Sequence, residues 1–263
     1  MIRALYTAAS GMTAQQLNVD NIANNLANAN TAGFKMRRAQ FEDLIYQNML
    51  LPGTAAGQQT TVPVGLQLGL GTRAAGNDII LTQGSLSSTG NPLDLAIQGN
   101  GFFQIVLPSG QLAYTRAGSF QLDPNGNLIT SDGNMLQPQI TIPSTAQSVT
   151  IAQDGTVSYT VAGQTAAQKA GQIQLANFQN PAGLNSIGNS LLTATDASGA
   201  PQVAAPGSSE GLGTIMQGYI EQSNVDVVEE FVNLIQSQRA YEANSRVVKA
   251  ADEMYQQVNQ LSQ

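Results

Sequence analysis

The chain has 263 residues, and its ten basic and seventeen acidic side chains give a formal net charge of -7 at pH 7. This acidic balance argues against binding to nucleic acid or anionic lipid by bulk electrostatics. The sequence contains no cysteine and no histidine, so disulfides and thiolate metal sites are excluded and the commonest general base is missing.

The first thirty or so residues carry the pattern of a single long helix. Successive seam positions are separated by alternating steps of four and three residues, which is a heptad pattern. Its members are Leu5, Ala9, Met12, Gln16, Val19, Ala23, Leu26 and Asn30. Gly33 follows as a helix-ending residue, so the pattern predicts one α-helix of about thirty residues.

This predicted helix contains many residues that weaken helices. Its asparagines are Asn18, Asn21, Asn24, Asn25, Asn28 and Asn30. Each costs a few tenths of a kcal/mol relative to alanine, and together they spread around the helix instead of following one face. We expect neighbouring copies or an aqueous channel to satisfy their amides on several sides. An ordinary solvated helix is the alternative.

Between the terminal regions the sequence reads as short strands separated by turns. The segments "FFQIVL", "LAYT", "SFQLD", "NLIT" and "VTIA" have strand character. The segments "LPSGQL", "DPNGNL" and "AQDGTV" place Gly110, Gly126 and Gly155 where hairpin tips need positive φ. Residues 51–63 and 197–213 are rich in Gly, Ala, Pro, Ser and Gln and are predicted to be linkers or long loops.

The C-terminal region has a second helical pattern. In "SNVDVVEEFVNLI", Asn224 or Asp226 is the predicted N-cap, and Glu229 and Glu230 fall in the first turn. The heptad seam of this helix is Leu234, Ser237, Tyr241, Asn244, Val248, Ala251, Tyr255 and Val258, widened by Val247, Met254 and Leu261. We expect the helix to continue to the last few residues.

These patterns predict an α+β fold with paired long N- and C-terminal helices, forming a coiled-coil-like inner domain, and a central, mostly antiparallel β domain. The predicted divisions are 1–35 with 217–263 for the inner helical domain, 36–65 for a connecting segment and 66–216 for the β domain. The first helix buries too little apolar surface to offset the entropy of ordering it, so we expect contacts with other copies. A helix pair packed on the β domain of its own chain is the alternative.

The candidate chemical motifs are weak. The "GNGFF" segment at 99–103 lacks a full phosphate-binding fingerprint and runs into a strand, so a tight turn is the better interpretation. The basic cluster, interpreted as a solvated face or as partners in salt bridges between subunits, is Lys35, Arg37 and Arg38. The possible paired carboxylates, two of them in turn signals, are Asp123, Asp132 and Asp154. We predict no catalytic residue, no metal site and no cofactor.

Several segments resemble the bacterial flagellar axial proteins, the rod and hook subunits. "NIANNLANANTAGFK" at 21–35 resembles the N-terminal signature of that family, and "GYIEQSNVDVVEEFVNLIQSQRAYEANSRVVKAADEM" at 218–254 resembles its C-terminal hallmark. "DLAIQGNGFFQI" and "YTRAGSF" resemble its core β domain. "FEDLIYQ" at 41–47 and the Pro/Gly/Gln-rich stretch after it resemble the distal rod members more than the longer hook protein; proximal rod members are the alternative.

The resemblance implies a structural subunit and not an enzyme. Such a subunit is exported without a cleaved signal peptide by the flagellar type III apparatus and polymerises in the periplasm into a rigid hollow shaft that transmits torque and encloses the export channel. The implied partners are further copies, proximal rod proteins, the hook protein and the outer L and P ring proteins, with no nucleic acid and no membrane insertion. A wall hydrolase and a secreted β-rich adhesin are the competing functions.

Three residue sets summarise these expectations. The interface set, expected between subunits, is Leu5, Met12, Gln16, Val19, Asn24, Asn25, Leu26, Asn28, Leu234, Tyr241, Asn244, Val248, Met254, Tyr255 and Val258. The connecting set, in the segment that the resemblance associates with a straight and stiff rod, is Phe34, Phe41, Tyr46 and Pro52. The β-motif set, carried by the resemblance, is Asp94, Gly99, Gly101, Phe102, Phe103, Tyr114, Arg116 and Phe120.

Overall fold

The computed structural model describes residues 2–52, 64–163, 166–208 and 211–261. The fold is α+β, with one helix near each terminus and a mostly antiparallel β region between them, as predicted. The helices are α1 (Ile2–Ala27) and α2 (Val227–Leu261). None of the helices in the described ranges is long and apolar enough to cross a membrane.

Twenty described strands lie between the helices. In chain order they are β1 (Arg37–Asp43), β2 (Tyr46–Leu50), β3 (Leu66–Gly69), β4 (Thr72–Ile79), β5 (Leu86–Ser88), β6 (Leu95–Gln98), β7 (Phe102–Val106), β8 (Leu112–Thr115), β9 (Phe120–Leu122), β10 (Leu128–Thr130), β11 (Met135–Gln137), β12 (Ala146–Ile151), β13 (Thr156–Val161), β14 (Gln168–Gln172), β15 (Leu175–Asn177), β16 (Asn185–Gly188), β17 (Leu191–Thr193), β18 (Gln202–Ala204), β19 (Thr214–Gln217) and β20 (Tyr219–Glu221). A 3-10 turn occupies Pro181–Gly183.

The chain forms two compact units. Unit 1 consists of Met1–Leu26, Arg37–Asp78 and Asp226–Gln263, and unit 2 consists of Ala27–Met36 and Ile79–Val225. Unit 1 therefore contains both helices together with the strands β1 to β4, and unit 2 contains the remaining strands.

Unit 2 is built around one large antiparallel sheet. Its strand order is β16-β17-β8-β7-β11-β10-β9, and β15 pairs with both β7 and β18. The strands β12, β13 and β14 form a separate three-stranded sheet. Strand β6 pairs with β19, and β5 pairs with β20. Strand β7 is central, with buried side chains on both faces, because alternate residues of a strand point to opposite sides.

The core of unit 2 consists of three hydrophobic clusters. The largest contains Phe103 and Phe120, whose rings meet edge to face with centroids 5.2 Å apart. On the opposite face of the sheet, Phe102 and Tyr114 pack with Phe178, and the rings of Tyr114 and Phe178 lie 4.8 Å apart. These closed clusters give unit 2 a conventional folded interior.

The predicted hairpins of unit 2 are confirmed. Gly110, Gly126 and Gly155 have φ values of 81°, 84° and 80° at the tips between β7 and β8, β9 and β10, and β12 and β13. A residue with a side chain is strained in this left-handed region, so glycine is the fitting residue there. Residues 197–213, predicted to be a loop, contain the short strand β18, which pairs with β15.

Unit 1 contains a long antiparallel hairpin between the two helices. Strand β1 pairs with β4, and β2 pairs with β3 in the register Tyr46 opposite Gly69. The Leu44 N–H donates to the Gly71 carbonyl at 2.9 Å and joins the two pairs of strands. The sequence did not predict β1 and β2, which lie in the connecting segment. Every residue of β2 is exposed, and its apolar residues do not alternate. Most of the predicted loop at 51–63 lies outside the described residues.

The helix boundaries agree with the predictions at three of four ends. Helix α1 stops at Ala27, before the predicted end at Gly33, because Asn28 and Thr31 form a turn in which the Thr31 N–H donates to the Asn28 carbonyl at 3.1 Å. Helix α2 is capped by Asp226, whose Oδ1 accepts the Val228 N–H at 2.8 Å, and it continues to Leu261 as predicted.

Candidate assembly interface

Helices α1 and α2 contact each other in unit 1 through small and polar residues. The contacts join Asn25 with Glu230, Asn18 with Ser237, and Gly11 with Asn244. Positions fall by seven along α1 as they rise by seven along α2, so the helices run antiparallel with one contact every two turns. The Asn18 amide donates to Ser237 Oγ at 2.8 Å, and a Cβ atom on Gly11 would lie 2.9 Å from Asn244 Nδ2.

The observed contact positions differ from the predicted seam on one helix. On α2 they include Ser237 and Asn244, which the predicted seam contains. On α1 they are Gly11, Asn18 and Asn25, each one residue before Met12, Val19 and Leu26. Apolar spacing missed them because glycine and asparagine do not register as apolar. The asparagine-rich composition was the available signal.

Asn25 is the most connected residue of this seam. Its side chain is 1% exposed, and its amide makes two hydrogen bonds to one backbone residue of β1. Nδ2 donates to the Arg37 carbonyl at 2.8 Å and Oδ1 accepts the Arg37 N–H at 2.9 Å. Nδ2 also donates to Glu230 Oε2 at 3.3 Å. One amide thus ties together α1, β1 and α2, which explains why asparagine occupies a helix position there.

The surface of unit 1 is rich in large apolar side chains. Of the 26 large apolar residues that are exposed in the described ranges, 21 lie in unit 1. Five of them are crowded into the first three turns of α2, and they are Val227, Val228, Phe231, Val232 and Ile235. Exposed apolar surface of this extent marks a protein–protein contact.

The β2–β3 ribbon adds to this surface. All its residues are exposed, including Tyr46, Met49 and Leu66. A two-stranded ribbon without a covered face is marginal in water, so this one requires a partner to be stable. Unit 1 also has an open groove of about 380 Å³, lined by Leu17 and Asp20 of α1 and by alanine and glycine residues of β1 and β4.

The interface set is distributed over several degrees of burial. Its half-buried members are Leu5, Met12, Val19, Leu26, Asn28, Leu234, Asn244, Val248 and Tyr255. Its exposed members are Gln16, Asn24, Tyr241, Met254 and Val258. Asn25 is buried between the elements of its own chain. The half-buried positions are covered only in part by this chain.

The connecting set is mostly at the surface. Phe41, Tyr46 and Pro52 are exposed in unit 1, and Phe34 is half-buried in unit 2. The Tyr46 ring lies against Gly69, where a Cβ atom would be 3.4 Å from its Cε1.

The β-motif set lies in the interior and turns of unit 2. Phe102, Phe103, Tyr114 and Phe120 are core residues. Asp94 accepts hydrogen bonds from Thr89 and Asn91, and Gly99 and Gly101 have positive φ. The set therefore builds the fold of unit 2, and Arg116 belongs to a buried charged group.

That charged group contains Lys35, Arg116 and Glu221. Lys35 Nζ lies 2.5 Å from Glu221 Oε1, and Arg116 Nη1 lies 3.2 Å from Glu221 Oε2. Burial lowers the pKa of Lys35, while the hydrogen bond and charge of Glu221 oppose this shift. Burial likewise lowers the pKa of Arg116, against the same carboxylate. The interpretation of Lys35 as part of a solvated cluster was wrong, because its sequence neighbours give no sign of Glu221.

The carboxylates considered for chemistry have structural roles. In the described ranges, no group of three metal-ligating side chains is placed to hold an ion. Asp123 and Asp154 sit in turns and accept backbone N–H groups, as the turn signals predicted. Asp132 accepts a hydrogen bond from Asn189.

Three family models match the chain. The "Flagella basal body rod protein" model matches residues 5–35. The "Flagellar hook protein FlgE/F/G D1 domain" model matches residues 96–159, and the "Flagellar basal body rod FlgEFG protein C-terminal" model matches residues 216–261. The matched ranges include most of both helices and the central strands of unit 2.

Curated relatives match over almost the whole length. The chain is 50% identical over 261 residues to the flagellar basal-body rod protein FlgG of Buchnera aphidicola subsp. Acyrthosiphon pisum, covering 99% of this chain and 100% of that protein. It is 51% identical to the flagellar basal-body rod protein FlgG of Caulobacter vibrioides, with 99% of each covered. It is 41% identical to the protein of the same name from Bacillus subtilis, with 98% of each covered. The chain therefore belongs to the flagellar basal-body rod protein family.

Proposed function

We propose that this chain is a structural subunit of the distal rod of the flagellar basal body. Copies of it polymerise into a rigid hollow shaft that crosses the periplasm, transmits torque and encloses the export channel. The full-length similarity to rod proteins named FlgG supports this function. The observation that carries it is the concentration of exposed apolar side chains in unit 1, because a monomer has no use for such a surface.

In this proposal, α1 and α2 form the coiled-coil-like inner domain of the shaft. The residue pairs at seven-residue spacing support such an arrangement, and polar residues in the seam fix its register at a cost in stability. The domain divisions are 1–35 with 217–263, 36–65, and 66–216. The connecting segment, with its exposed ribbon, packs against further copies and stiffens the shaft.

The proposed partners follow from the family. They are further copies of this chain, the proximal rod and hook proteins, the outer L and P ring proteins and the type III export apparatus. The connecting set and the interface set supply contacts between copies, apart from Asn25, which is buried within its own chain. We assign no catalytic role, because the carboxylates considered for chemistry serve turns of unit 2.

Electron microscopy of basal bodies tests the function. A strain lacking this chain is expected to have basal bodies without a distal rod, restored by the intact chain. Complete rods in the deletion strain would refute the proposal.

A matched pair of variants tests the surface that carries the proposal. Val228→Asp changes a side chain that is 73% exposed on α2, and Val203→Asp changes one that is 42% exposed in unit 2. The first is expected to prevent rod assembly, because a buried unpaired charge is costly, while the second leaves it intact. Equal assembly by the two variants would show that the α2 surface is not an interface.

A further inference from the structure

Three segments of unit 2 meet where the chain passes to unit 1. The chain passes between the units at four peptide bonds. Three of these crossings lie directly after Met36, directly before Ile79 and directly after Val225. The segments of unit 2 next to these crossings are 33–36, 80–85 and 221–224. They are called the junction segments below.

The junction segments are joined by backbone hydrogen bonds. The Gly33 N–H donates to the Glu221 carbonyl at 2.8 Å, and the Ile80 N–H donates to the Met36 carbonyl at 2.8 Å. The Gln222 N–H donates to the Ser85 carbonyl at 2.9 Å. Each segment is therefore bonded to the other two.

Asn224 links all three segments with one side chain. Its Oδ1 accepts the Met36 N–H at 2.7 Å. Its Nδ2 donates to the Ile80 carbonyl at 2.8 Å and to Thr82 Oγ1 at 2.9 Å. An amide can both donate and accept, and the only other side chain with this group is glutamine, which is one methylene longer.

The buried charges join the same segments to the sheet. Lys35 Nζ donates to the Thr82 carbonyl at 2.8 Å and to Glu221, and the Gly84 N–H donates to Glu221 Oε1 at 3.0 Å. Arg116 donates from Nη1 to Glu221 and from Nη2 to the Gly99 carbonyl at 2.7 Å. The side chains of Lys35, Glu221 and Arg116 are 5%, 0% and 5% exposed.

Such a group is an inefficient way to gain stability. Desolvation of buried charges offsets most of their attraction, and well-packed apolar residues often do as well. The charged group instead provides hydrogen bonds of fixed direction, which attach the three junction segments to one another around Glu221. None of the three hydrophobic clusters of unit 2 includes this charged group, so packing of the core does not explain why it lies next to three crossings.

We propose that the junction segments, held by Asn224 and the charged group, form a mechanical clamp. The clamp makes three of the four chain segments that join the units carry load together, so that torque passes through these three covalent links in parallel. This proposal rests on the proposed function as a torque-transmitting subunit. It adds a named site through which the load would enter and leave unit 2.

The first test uses hydrogen exchange of the purified full chain and does not depend on rod assembly. Asn224→Ala is expected to speed exchange of the Met36 and Ile80 amides by about tenfold or more, without changing exchange at Phe103 in the core. Asn224→Gln is the conservative variant, and it is expected to retain part of the protection. Unchanged exchange at Met36 and Ile80 in Asn224→Ala would overturn the clamp.

The second test measures function under load. Cells carrying Asn224→Ala are expected to assemble rods of normal length but to lose more swimming speed in a viscous medium than in dilute buffer. Asn180→Ala, which removes an exposed hydrogen bond to the Ala197 carbonyl, is the control and is expected to swim normally in both. Swimming of Asn224→Ala like wild type at high load would overturn the clamp and leave the proposed function standing. Complete rods in a strain lacking the chain would instead refute the proposed function.

Discussion

Unit 1 and unit 2 treat their apolar side chains in opposite ways. Unit 2 encloses three hydrophobic clusters and leaves few large apolar residues at its surface. Unit 1 has no comparable cluster among its described residues, and its helices meet through glycine and polar side chains. Its large apolar side chains point outwards along α2 and the β2–β3 ribbon.

We infer from this difference that the two units become stably folded under different conditions. We expect unit 2 to fold by itself, because its hydrophobic clusters are enclosed, and unit 1 to bury its exposed apolar side chains against other molecules. A polar seam suits this arrangement, because it sets the register of the helices without making them stable in isolation. We expect such a subunit to stay single in dilute solution and to become rigid on assembly.

The comparison predicts opposite outcomes for the same substitution in the two units. Phe103→Ala, at a fully buried side chain, is expected to lower the free energy of unfolding of unit 2 by about 3–5 kcal/mol. Phe231→Ala, at a side chain that is 48% exposed, is expected to change it by less than about 0.5 kcal/mol. Urea unfolding of the two purified variants measures both values. Equal losses would remove the distinction between the units.

Asn25 tests whether the seam of unit 1 controls assembly. Asn25→Leu leaves the Arg37 backbone groups and Glu230 without their amide partner, at a cost of about 1–3 kcal/mol in the polymer. We expect the critical concentration for polymerisation to rise about tenfold, with no change in the unfolding of unit 2. Asn21→Ala, which loses an exposed bond to Asn77, is the control. If both variants polymerise alike, the buried amide does not set the seam.

The cap of α2 allows a smaller and more local test. Asp226→Ala removes the acceptor for the Val228 and Glu229 N–H groups and is expected to cost about 1 kcal/mol. Asp226→Ser keeps an acceptor and is expected to restore most of it. Hydrogen exchange of the first turn of α2 in assembled rods measures the effect. A loss confined to unit 2 would contradict the assignment of this cap to unit 1.

The smallest expected effect is on the stability of unit 2 at acidic pH. The N–H groups of Asn127 and Asn125 hold the pKa of Asp123 below its usual value, because they stabilise the carboxylate. As the pH falls, Asp123 is therefore protonated in the unfolded chain before it is protonated in the folded chain. The stability that the Asp123 carboxylate contributes is complete above its unfolded pKa and is lost as the pH falls through its folded pKa. Asp123→Asn is expected to make the acid unfolding curve of unit 2 shallower. A carboxyl titration by NMR at or above the usual aspartate pKa would contradict this cause.

The sequence predicted the features that depend on local chemistry. The hairpin glycines, the strands of unit 2 and the cap at Asp226 are each specified by a few adjacent residues. The burial of Lys35 and the contact positions of α1 depend on residues 186 and 219 positions away in the sequence. Strand β2 was missed because its residues are all exposed and its apolar side chains do not alternate.

Hydrogen exchange of the isolated chain at high dilution tests the central claim most directly. We expect fast exchange along α1 and α2 and strong protection in β7 and β8, with the helices becoming protected when rods are assembled. Helices that are as protected as β7 in the dilute, single subunit would contradict the account.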